Sequence, residues 1–185
     1  MIKFIIAIAL LFSLAIADRE GGPYIGLGYG VSKYNDDSFY ASLKDDRTSS
    51  ATFYGGAYIN KHLSVELAYV SFDAWHSSDG YKVDENTSLG FSAISVSTLA
   101  HYAFFDDVLD FYAKFGVGEM SQSGIGGNGF TFVYGVGGSF RFDERYSIKL
   151  AYDMYDFTYD NSTETTIDTY DMKIHYVYTA LEIQF

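Results

Sequence analysis

Six charged residues lie on the non-apolar side of stretches in which apolar and polar side chains alternate. They are three acids and three bases: Glu66, Asp153 and Glu182, with Lys114, Arg141 and Lys149. If that side faces a narrow interior, these groups cannot all be hydrated, and an unpaired charge there is costly. The near balance of signs therefore predicts ion pairs across the interior. Such pairs fill the interior in the simplest interpretation and gate a narrow passage in the alternative one.

A second constellation has the residue types of nucleophilic catalysis. His101 shares its side of the alternation with Ser95 and Ser97, and a Ser–His pair becomes reactive when an acid orients the histidine. The stretch beginning at His76, His-Ser-Ser, is similar to the His-x-Ser of lipid A deacylases but lacks the surrounding motif. Because the sequence assigns no acid to either histidine, we expect His101 to fill the interior.

Carboxylates dominate the chain: 24 Asp and Glu stand against 12 Lys and Arg, for a formal net charge of −12. This balance excludes nucleic acid as a partner, because phosphates attract Lys and Arg. The absence of cysteine excludes a disulfide framework and zinc–thiolate sites. Acidic residues in the longer polar segments 36–46, 79–85 and 160–168 have the ligand type of Ca²⁺ or Mg²⁺ but no EF-hand spacing. We therefore predict no metal or cofactor, and a solvated acidic rim.

A two-residue period of apolar side chains predicts the elements that carry these residues. The period is clearest at the end of the chain, where Val177, Leu181, Ile183 and Phe185 share one side. It recurs in eight segments of about 10 residues, the length of a tilted strand that crosses a membrane. The segments begin at Tyr24, Thr52, Leu63, Leu89, Leu109, Thr131, Ile148 and Tyr170.

An even number of strands and an apolar last strand predict an all-β fold, an eight-stranded antiparallel up-and-down barrel whose last strand pairs with the first. One side of each segment holds Gly, Ser, Glu, Lys and Arg, whereas the apolar side is rich in Phe and Tyr near the strand ends. Apolar groups outside and polar groups inside favour a transmembrane barrel. The alternative is a soluble lipocalin-like barrel, in which apolar side chains fill the interior.

Connections between the predicted strands alternate in length. The short ones are 60–62, 105–108 and 143–145, and the longer polar ones are 35–48, 76–88, 122–129 and 160–169. Transmembrane barrels of bacteria place short turns in the periplasm and longer loops outside the cell. The alternation therefore predicts four outer loops at one end of the barrel.

The first 17 residues have the composition of a secretory leader. Lys3 precedes the apolar run 4–17, which ends in Ala15-Ile16-Ala17, a small-residue cleavage site. The run is shorter than the roughly 20 residues that a spanning helix needs. We therefore predict a signal peptide at 1–17 and a single barrel domain at 18–185.

Several stretches resemble the small OmpA-type barrels of the outer membrane. The stretch 56–69, with its turn Asn60-Lys61-His62 and inward Glu66, is similar to the second hairpin arm of that family, and 106–116 resembles its turn between the fourth and fifth strands. Leu181, Ile183 and Phe185 match the family's C-terminal assembly signal. The resemblance implies that Glu66 pairs with Lys149. Because the peptidoglycan-binding domain of OmpA is expected to be absent, the plan is closer to OmpX-like and opacity-type surface proteins.

The resemblance implies a monomeric barrel in the outer membrane, with membrane lipid, lipopolysaccharide and the assembly machinery as partners. We expect a non-enzymatic protein that contributes to envelope integrity, adhesion or host interaction through its outer loops. The alternatives are a narrow small-solute pore with a charge-paired lumen and a lipid-modifying enzyme. A continuous water-filled lumen favours the pore, ion pairs across the lumen favour the surface role, and a Ser–His–acid triad at the lipid-facing outer rim favours the enzyme.

Overall fold

A computed structural model describes residues 21–35, 47–75, 89–105, 107–123, 127–163 and 166–185. The predicted leader at 1–17, the acidic segments 36–46 and 76–88, and His76 lie outside the described residues, so the expectations for them stay predictions. Within the described ranges, no helix has the length and apolar character needed to cross a membrane.

Eight antiparallel strands form a closed barrel in which each strand pairs with its neighbours in the chain and the last pairs with the first. The strands are β1 (Gly22–Asn35), β2 (Arg47–Asn60), β3 (Leu63–Trp75), β4 (Leu89–Phe104), β5 (Leu109–Ser123), β6 (Gly127–Arg141), β7 (Tyr146–Thr163) and β8 (Thr166–Gln184). Closure leaves no unpaired strand edge, which removes the backbone groups that make open sheets aggregate. The predicted eight-stranded all-β barrel is confirmed.

Three short turns connect β2 to β3, β4 to β5 and β6 to β7 at one end of the barrel. In two of these turns, a side-chain oxygen accepts a hydrogen bond from the backbone N–H two residues later. This local hydrogen bond is one reason why Asn and Asp are common in turns. Asn60 Oδ1 accepts from the His62 N–H at 2.8 Å, and Asp143 Oδ1 accepts from the Arg145 N–H at 3.2 Å. The predicted short turns are therefore confirmed.

At the opposite end the strands are longer than the sequence pattern predicts. The pairing of β7 with β8 continues through the predicted loop 160–169 as far as Thr163 and Thr166. The expected long loop is wrong at this place. Asp160, Asn161 and Ser162 are polar on both sides of the strand, so the apolar period vanishes although the backbone still pairs.

Large apolar side chains face outward around the barrel. Phe111 is 54% exposed and Leu150 is 61% exposed, and Phe140 lies on the same surface. A soluble barrel would bury these side chains in its centre, whereas a transmembrane barrel turns an apolar band toward lipid. The predicted inside-out arrangement is confirmed.

The half of the lumen remote from the short turns is filled by aromatic and apolar side chains. Eight of the larger buried side chains there are Tyr34, Phe72, Phe91, Tyr155, Phe157, Met172, Ile174 and Tyr176. Phe72 packs edge-on against both Tyr155 and Tyr176, with ring centroids 5.4 and 5.9 Å apart. We call these eight residues the aromatic plug.

Glycines on β1 and β2 make room for tyrosine rings inside the barrel. The ring of Tyr54 lies over Gly26, and the ring of Tyr24 lies over Gly56, so a Cβ at either glycine would overlap the ring. The two rings meet edge to face with centroids 6.2 Å apart. The small residues of the inward side are therefore what lets a barrel of eight strands hold large side chains.

Candidate functional site

Lys114 of β5 lies at the centre of the lumen and joins two acids from other strands. Its Nζ is 2.9 Å from Glu66 Oε1 of β3 and 2.9 Å from Asp153 Oδ2 of β7. All three side chains are buried. Pairing offsets the desolvation of each group, which on its own would be strongly unfavourable in this interior.

Lys149 of β7 forms the second centre. Its Nζ is 2.8 Å from Glu182 Oε2 of β8 and 3.6 Å from Glu66 Oε2. The ammonium also lies over the ring of Tyr54, 4.3 Å from its centroid, in the geometry of a cation–π contact. Glu66 therefore links the two lysines, and the contact with Lys149 that the family resemblance implies is present.

Strand register and small residues bring these groups to one height. Lys114 is opposite Gly135 of β6, and Gly135 is opposite Asp153 of β7. Because Gly135 has no side chain, the Lys114 ammonium reaches across β6 to the carboxylate, and a Cβ there would overlap Asp153. On the other side, Lys149 is opposite Ala180 of β8, which leaves space toward Glu182.

Tyrosine hydroxyls donate to the carboxylates from the surrounding strands. Tyr24 donates to Glu66 Oε2 at 3.3 Å, and Tyr54 donates to Glu182 Oε2 at 3.2 Å. Tyr178 donates to Asp153 Oδ2 at 3.2 Å. These bonds provide hydrogen-bond donors to one oxygen of each carboxylate, whereas Asp153 Oδ1 is buried without a hydrogen-bond partner among the described residues. We call the two lysines, the three carboxylates and these three tyrosines the charge layer.

Arg141, the sixth predicted member, is not part of the charge layer. It is the last residue of β6, and its Nη2 donates to Gln184 Oε1 at 3.0 Å near the mouth at the short-turn end. With Tyr58, Asp110 and Gln184 it lines a cleft of about 40 Å³ at that mouth. The structure thus places Arg141 apart from the other five predicted charges, because the alternation gives the side of the sheet that a residue faces but not its height in the barrel.

His101 of β4 bonds two residues that the sequence interpretation missed. Its Nε2 is 2.8 Å from Ser64 Oγ of β3, and its Nδ1 is 2.7 Å from Asp110 Oδ2 of β5. The predicted partners Ser95 and Ser97 are buried elsewhere on the inward side. Hairpin register was the signal that could have found Asp110, because Ala103 is opposite it and places it diagonally beside His101.

The Ser64–His101–Asp110 distances match those of a nucleophile, a base and an orienting acid. Ser64 is nevertheless 0% exposed, and the ring of Tyr58 packs over His101 with centroids 5.0 Å apart. A substrate carbonyl needs free space about 3 Å from the nucleophile. The Ser64 hydroxyl instead lies 3.3 Å from the Tyr24 hydroxyl. Asp110, His101 and Ser64 therefore form a row of hydrogen-bonded side chains that reaches Tyr24 of the charge layer.

Two further expectations concern positions outside the lumen. Leu181 and Phe185 lie on the lipid-facing side and are exposed, and Ile183 lies on the same side of β8. β8 closes the barrel by pairing with β1, for instance Ile183 with Ile25 and Leu181 with Leu27. Within the described part of the chain, no group of three or more His, Asp or Glu residues has an arrangement that could hold a metal ion.

Solved structures share this architecture. Neisserial surface protein A (NspA) is 14% identical, with a TM-score of 0.64, over 89% of this chain and 97% of that one. Ail, the attachment invasion locus protein of Yersinia pestis, is 17% identical, with a TM-score of 0.55, over 90% and 99%. OprG from Pseudomonas aeruginosa is 11% identical, with a TM-score of 0.51, over 90% and 97%. At these identities the likeness concerns the fold.

The comparison with curated protein sequences gives no match. The sequence model described as the outer membrane protein beta-barrel domain matches residues 4–179, nearly the whole chain. That match agrees with the closed antiparallel barrel, its lipid-facing apolar surface and the outer-membrane proteins that share its fold. The chain therefore belongs to the outer membrane protein beta-barrel domain family, and it resides in the outer membrane of the cell.

Proposed function

We propose that this barrel is non-enzymatic and acts at the outer cell surface, in attachment or in envelope integrity, through the connections at the outer ends of its strands. The observation that carries the proposal is the filled lumen. The charge layer and the aromatic plug lie one above the other, and both consist of buried side chains. If the barrel has no passage, it can interact with other molecules only through its ends and its lipid-facing surface. Loops on a rigid scaffold commonly carry the residues that bind ligands or partner proteins.

A pore is the alternative with least support. The cleft at the short-turn mouth has a volume of about 40 Å³, room for only two or three water molecules. Beyond it, a solute would have to separate the ion pairs of Lys114 and Lys149, at 2.8–2.9 Å from their nearest carboxylates. Breaking buried pairs is strongly unfavourable, so passage through this lumen would be rare.

The burial of Ser64 supports a non-enzymatic role. A lipid-modifying enzyme needs its nucleophile where acyl chains reach it, at the lipid-facing surface. Ser64 and His101 instead point into the lumen, and both are buried there. Their hydrogen bonds fix side chains near the mouth, a role that needs no substrate.

Structural relatives support a surface role as a class of function. Ail carries the description attachment invasion locus protein and has been solved with the heparin analogue sucrose octasulfate, and NspA is described as a surface protein. In this chain, segment 36–46 has four Asp against one Lys, and segment 76–88 has three acids against one Lys. Complementary charge favours a basic partner for these segments, whereas a polyanion would be repelled.

The proposal is tested by shortening segments 36–46 and 76–88, singly and together, to brief Gly-Ser connections in the full chain. Cells that display the wild type should adhere to polylysine-coated surfaces more than to heparin-coated ones, and less as salt rises. Shortening both segments should remove most of this adhesion. The matched control replaces the turn Lys61-His62 at the opposite end and should leave adhesion unchanged.

Envelope integrity is measured in the same strains as survival in detergent and bile salts. Loss of survival without loss of adhesion would assign the protein to integrity instead of attachment. The surface role as a whole fails if both shortened variants, verified as folded, match the wild type in adhesion and in survival.

We also propose that Leu181, Ile183 and Phe185 are the segment that the outer-membrane assembly machinery recognises. Their exposed apolar side chains on the closing strand support this assignment. Phe185→Ala should slow insertion into vesicles that contain the machinery but leave spontaneous folding into pure lipid vesicles nearly unchanged. Thr179→Ala, on the same side of β8, is the control; equal effects in both kinds of vesicle would contradict the role.

A further inference from the structure

The cleft at the short-turn end of the barrel has charges of both signs in its walls. We call it the mouth cleft, and its lining consists of Tyr58, Lys61, Ala103, Asp107, Asp110, Arg141 and Gln184. Two of these residues are basic and two are acidic, so the formal charge of the mouth cleft is zero. None of the four belongs to the charge layer, which makes the cleft a separate place in the barrel.

The opposite charges of the mouth cleft are not paired with one another. Among the described residues, no ion pair joins either base of the cleft to either acid. Arg141 instead donates from Nη2 to Gln184 Oε1 at 3.0 Å, and Asp110 Oδ2 is 2.7 Å from His101 Nδ1. Opposite charges that line one cleft without meeting leave a space in which a ligand can contact both signs.

The carboxylate of Asp110 has acceptor capacity that the protein leaves unused. Its Oδ2 is occupied by His101, whereas its Oδ1 is buried without a hydrogen-bond partner among the residues that the structure describes. A carboxylate accepts about four hydrogen bonds, and a buried oxygen without a donor is costly. An ammonium group in the cleft would bring donors to this side chain, which is 14% exposed.

The guanidinium of Arg141 has donors that its bond to Gln184 does not use. Its N–H groups form a planar fork that matches the two oxygens of a carboxylate. The side chain is half-buried, so water and salt screen its attraction for an anion less than they would at an exposed position. Lys61, which is exposed, adds a second positive charge to the cleft.

We propose that the mouth cleft binds the zwitterionic group of a small α-amino acid, with the carboxylate against Arg141 and the ammonium against Asp110. A simple anion would meet the two aspartates and a simple cation would meet the two bases, whereas a zwitterion offers each side its opposite charge. The volume of about 40 Å³, the room of a few water molecules, suits two charged groups that are joined through one carbon. A long side chain would have to extend out of the mouth.

The site lies at the end of the barrel opposite to the proposed surface role. Short turns of outer-membrane barrels face the periplasm, so the amino acid comes from that compartment and not from the medium. The charge layer and the aromatic plug fill the lumen beyond the cleft, so binding here involves no passage through the barrel. Loss of adhesion and loss of amino-acid binding are therefore independent results.

The test is an NMR chemical-shift titration of the isotope-labelled full chain in detergent micelles with glycine. We expect saturable shifts centred on the mouth cleft, with a dissociation constant on the order of 1 mM, because so small a ligand has few contacts. Acetate and methylamine each carry one of the two charges and should bind at least about 10-fold more weakly. Equal affinity for either would overturn the zwitterion, and the absence of saturable glycine binding below about 100 mM would overturn the site.

Variants on the two sides of the cleft test the assignment of the charges. Arg141→Gln and Asp110→Asn should each raise the dissociation constant at least about 10-fold, the loss expected for a hydrogen bond between charged groups. Arg145→Gln and Asp143→Asn, in the turn between β6 and β7 and outside the cleft lining, are the matched controls and should change it less than about 3-fold. Equal losses in the cleft variants and the controls would overturn the site.

Two further arms address the fold and the ligand. Unchanged shifts of the residues remote from the cleft verify that each variant is folded, and Arg141→Lys, which keeps the charge but not the planar fork, should lose less affinity than Arg141→Gln. In glycylglycine the two charges are one peptide unit, about 3.8 Å, further apart, so the dipeptide should bind more weakly than glycine. Tighter binding of the dipeptide would overturn the amino acid as the ligand.

Discussion

The most consequential residues in this barrel are Lys114 and Lys149, which pair with three buried carboxylates in the lumen. Each lysine touches two acids, and Glu66 is shared between them. Because the acids come from β3, β7 and β8, these contacts tie together strands on opposite walls of the barrel. A buried ion-pair network contributes little net free energy to folding, because desolvation offsets the attraction between the charges. Removing one partner is nevertheless strongly destabilising, because it leaves the other charge buried and unpaired.

Removing one lysine should therefore destabilise the barrel strongly. Lys114→Met leaves Asp153 without its cation and should lower the free energy of unfolding by about 3–5 kcal/mol. The measurement is urea unfolding from lipid vesicles. Asp156→Asn, which breaks the half-exposed pair with Lys173, is the control and should cost less than about 1 kcal/mol. Similar small losses for the two variants would mean that the charge layer does not bear on stability.

A second prediction at this scale concerns Ser64. Since this serine is buried beneath Tyr58 and His101, a fluorophosphonate probe should not label the folded protein. The probe is applied to protein in vesicles and the adducts are located by mass spectrometry, with a serine hydrolase as the positive control. Labelling that disappears in Ser64→Ala would show that the Ser64–His101–Asp110 group is reactive and would reopen the enzymatic alternative.

At the scale of the strands, paired glycines and tyrosines decide how the lumen is filled. Gly26 and Gly56 lie under the rings of Tyr54 and Tyr24, and those hydroxyls reach Glu182 and Glu66. The glycines of β1 and β2 thus position the donors of the charge layer. Their neighbour Gly55 faces outward, where a Cβ would find its nearest atom, the Tyr24 carbonyl oxygen, at 3.6 Å.

The adjacent glycines 55 and 56 provide a matched comparison. Gly56→Ala should cost about 1–3 kcal/mol of unfolding free energy, because the methyl group overlaps the Tyr24 ring and the Val65 carbonyl oxygen. Gly55→Ala meets only ordinary contacts and should be close to neutral. Urea unfolding of both variants checks the difference. If the two substitutions cost the same, the ring does not need the space that Gly56 provides.

Strand periodicity predicted the fold because each face of the sheet meets a different environment. The apolar side meets lipid and the other side meets the lumen, so alternation shows in the types of residue. It failed beyond the apolar band, where residues such as Asp160 and Asn161 are polar on both sides while β7 and β8 still pair.

The candidate site was predictable in part for the same reason. Alternation identifies inward charges, and five of the six predicted ones meet in the charge layer. Their heights depend on register between strands, which places Arg141 at the mouth instead. Register across β3, β4 and β5 also determines that His101 meets Ser64 and Asp110. The short turn between β4 and β5 sets the offset of Asp110 from His101, but a single sequence does not determine the offsets between strands that longer segments connect.

At the scale of the whole molecule, the charge layer pairs its charges within the lumen, whereas segments 36–46 and 76–88 together contain seven acids against two lysines. The proposed surface role rests on this local excess of acid in the sequence and not on the formal net charge of the whole chain.

The filled lumen is tested most directly by the conductance of the purified full chain in planar bilayers, measured for the wild type and for Glu66→Gln. The structure predicts no stepwise current above the protein-free bilayer for either protein, although a general porin in the same apparatus conducts. Regular conductance steps in the wild type that change in Glu66→Gln would contradict this account, because they would show that the charge layer gates a passage.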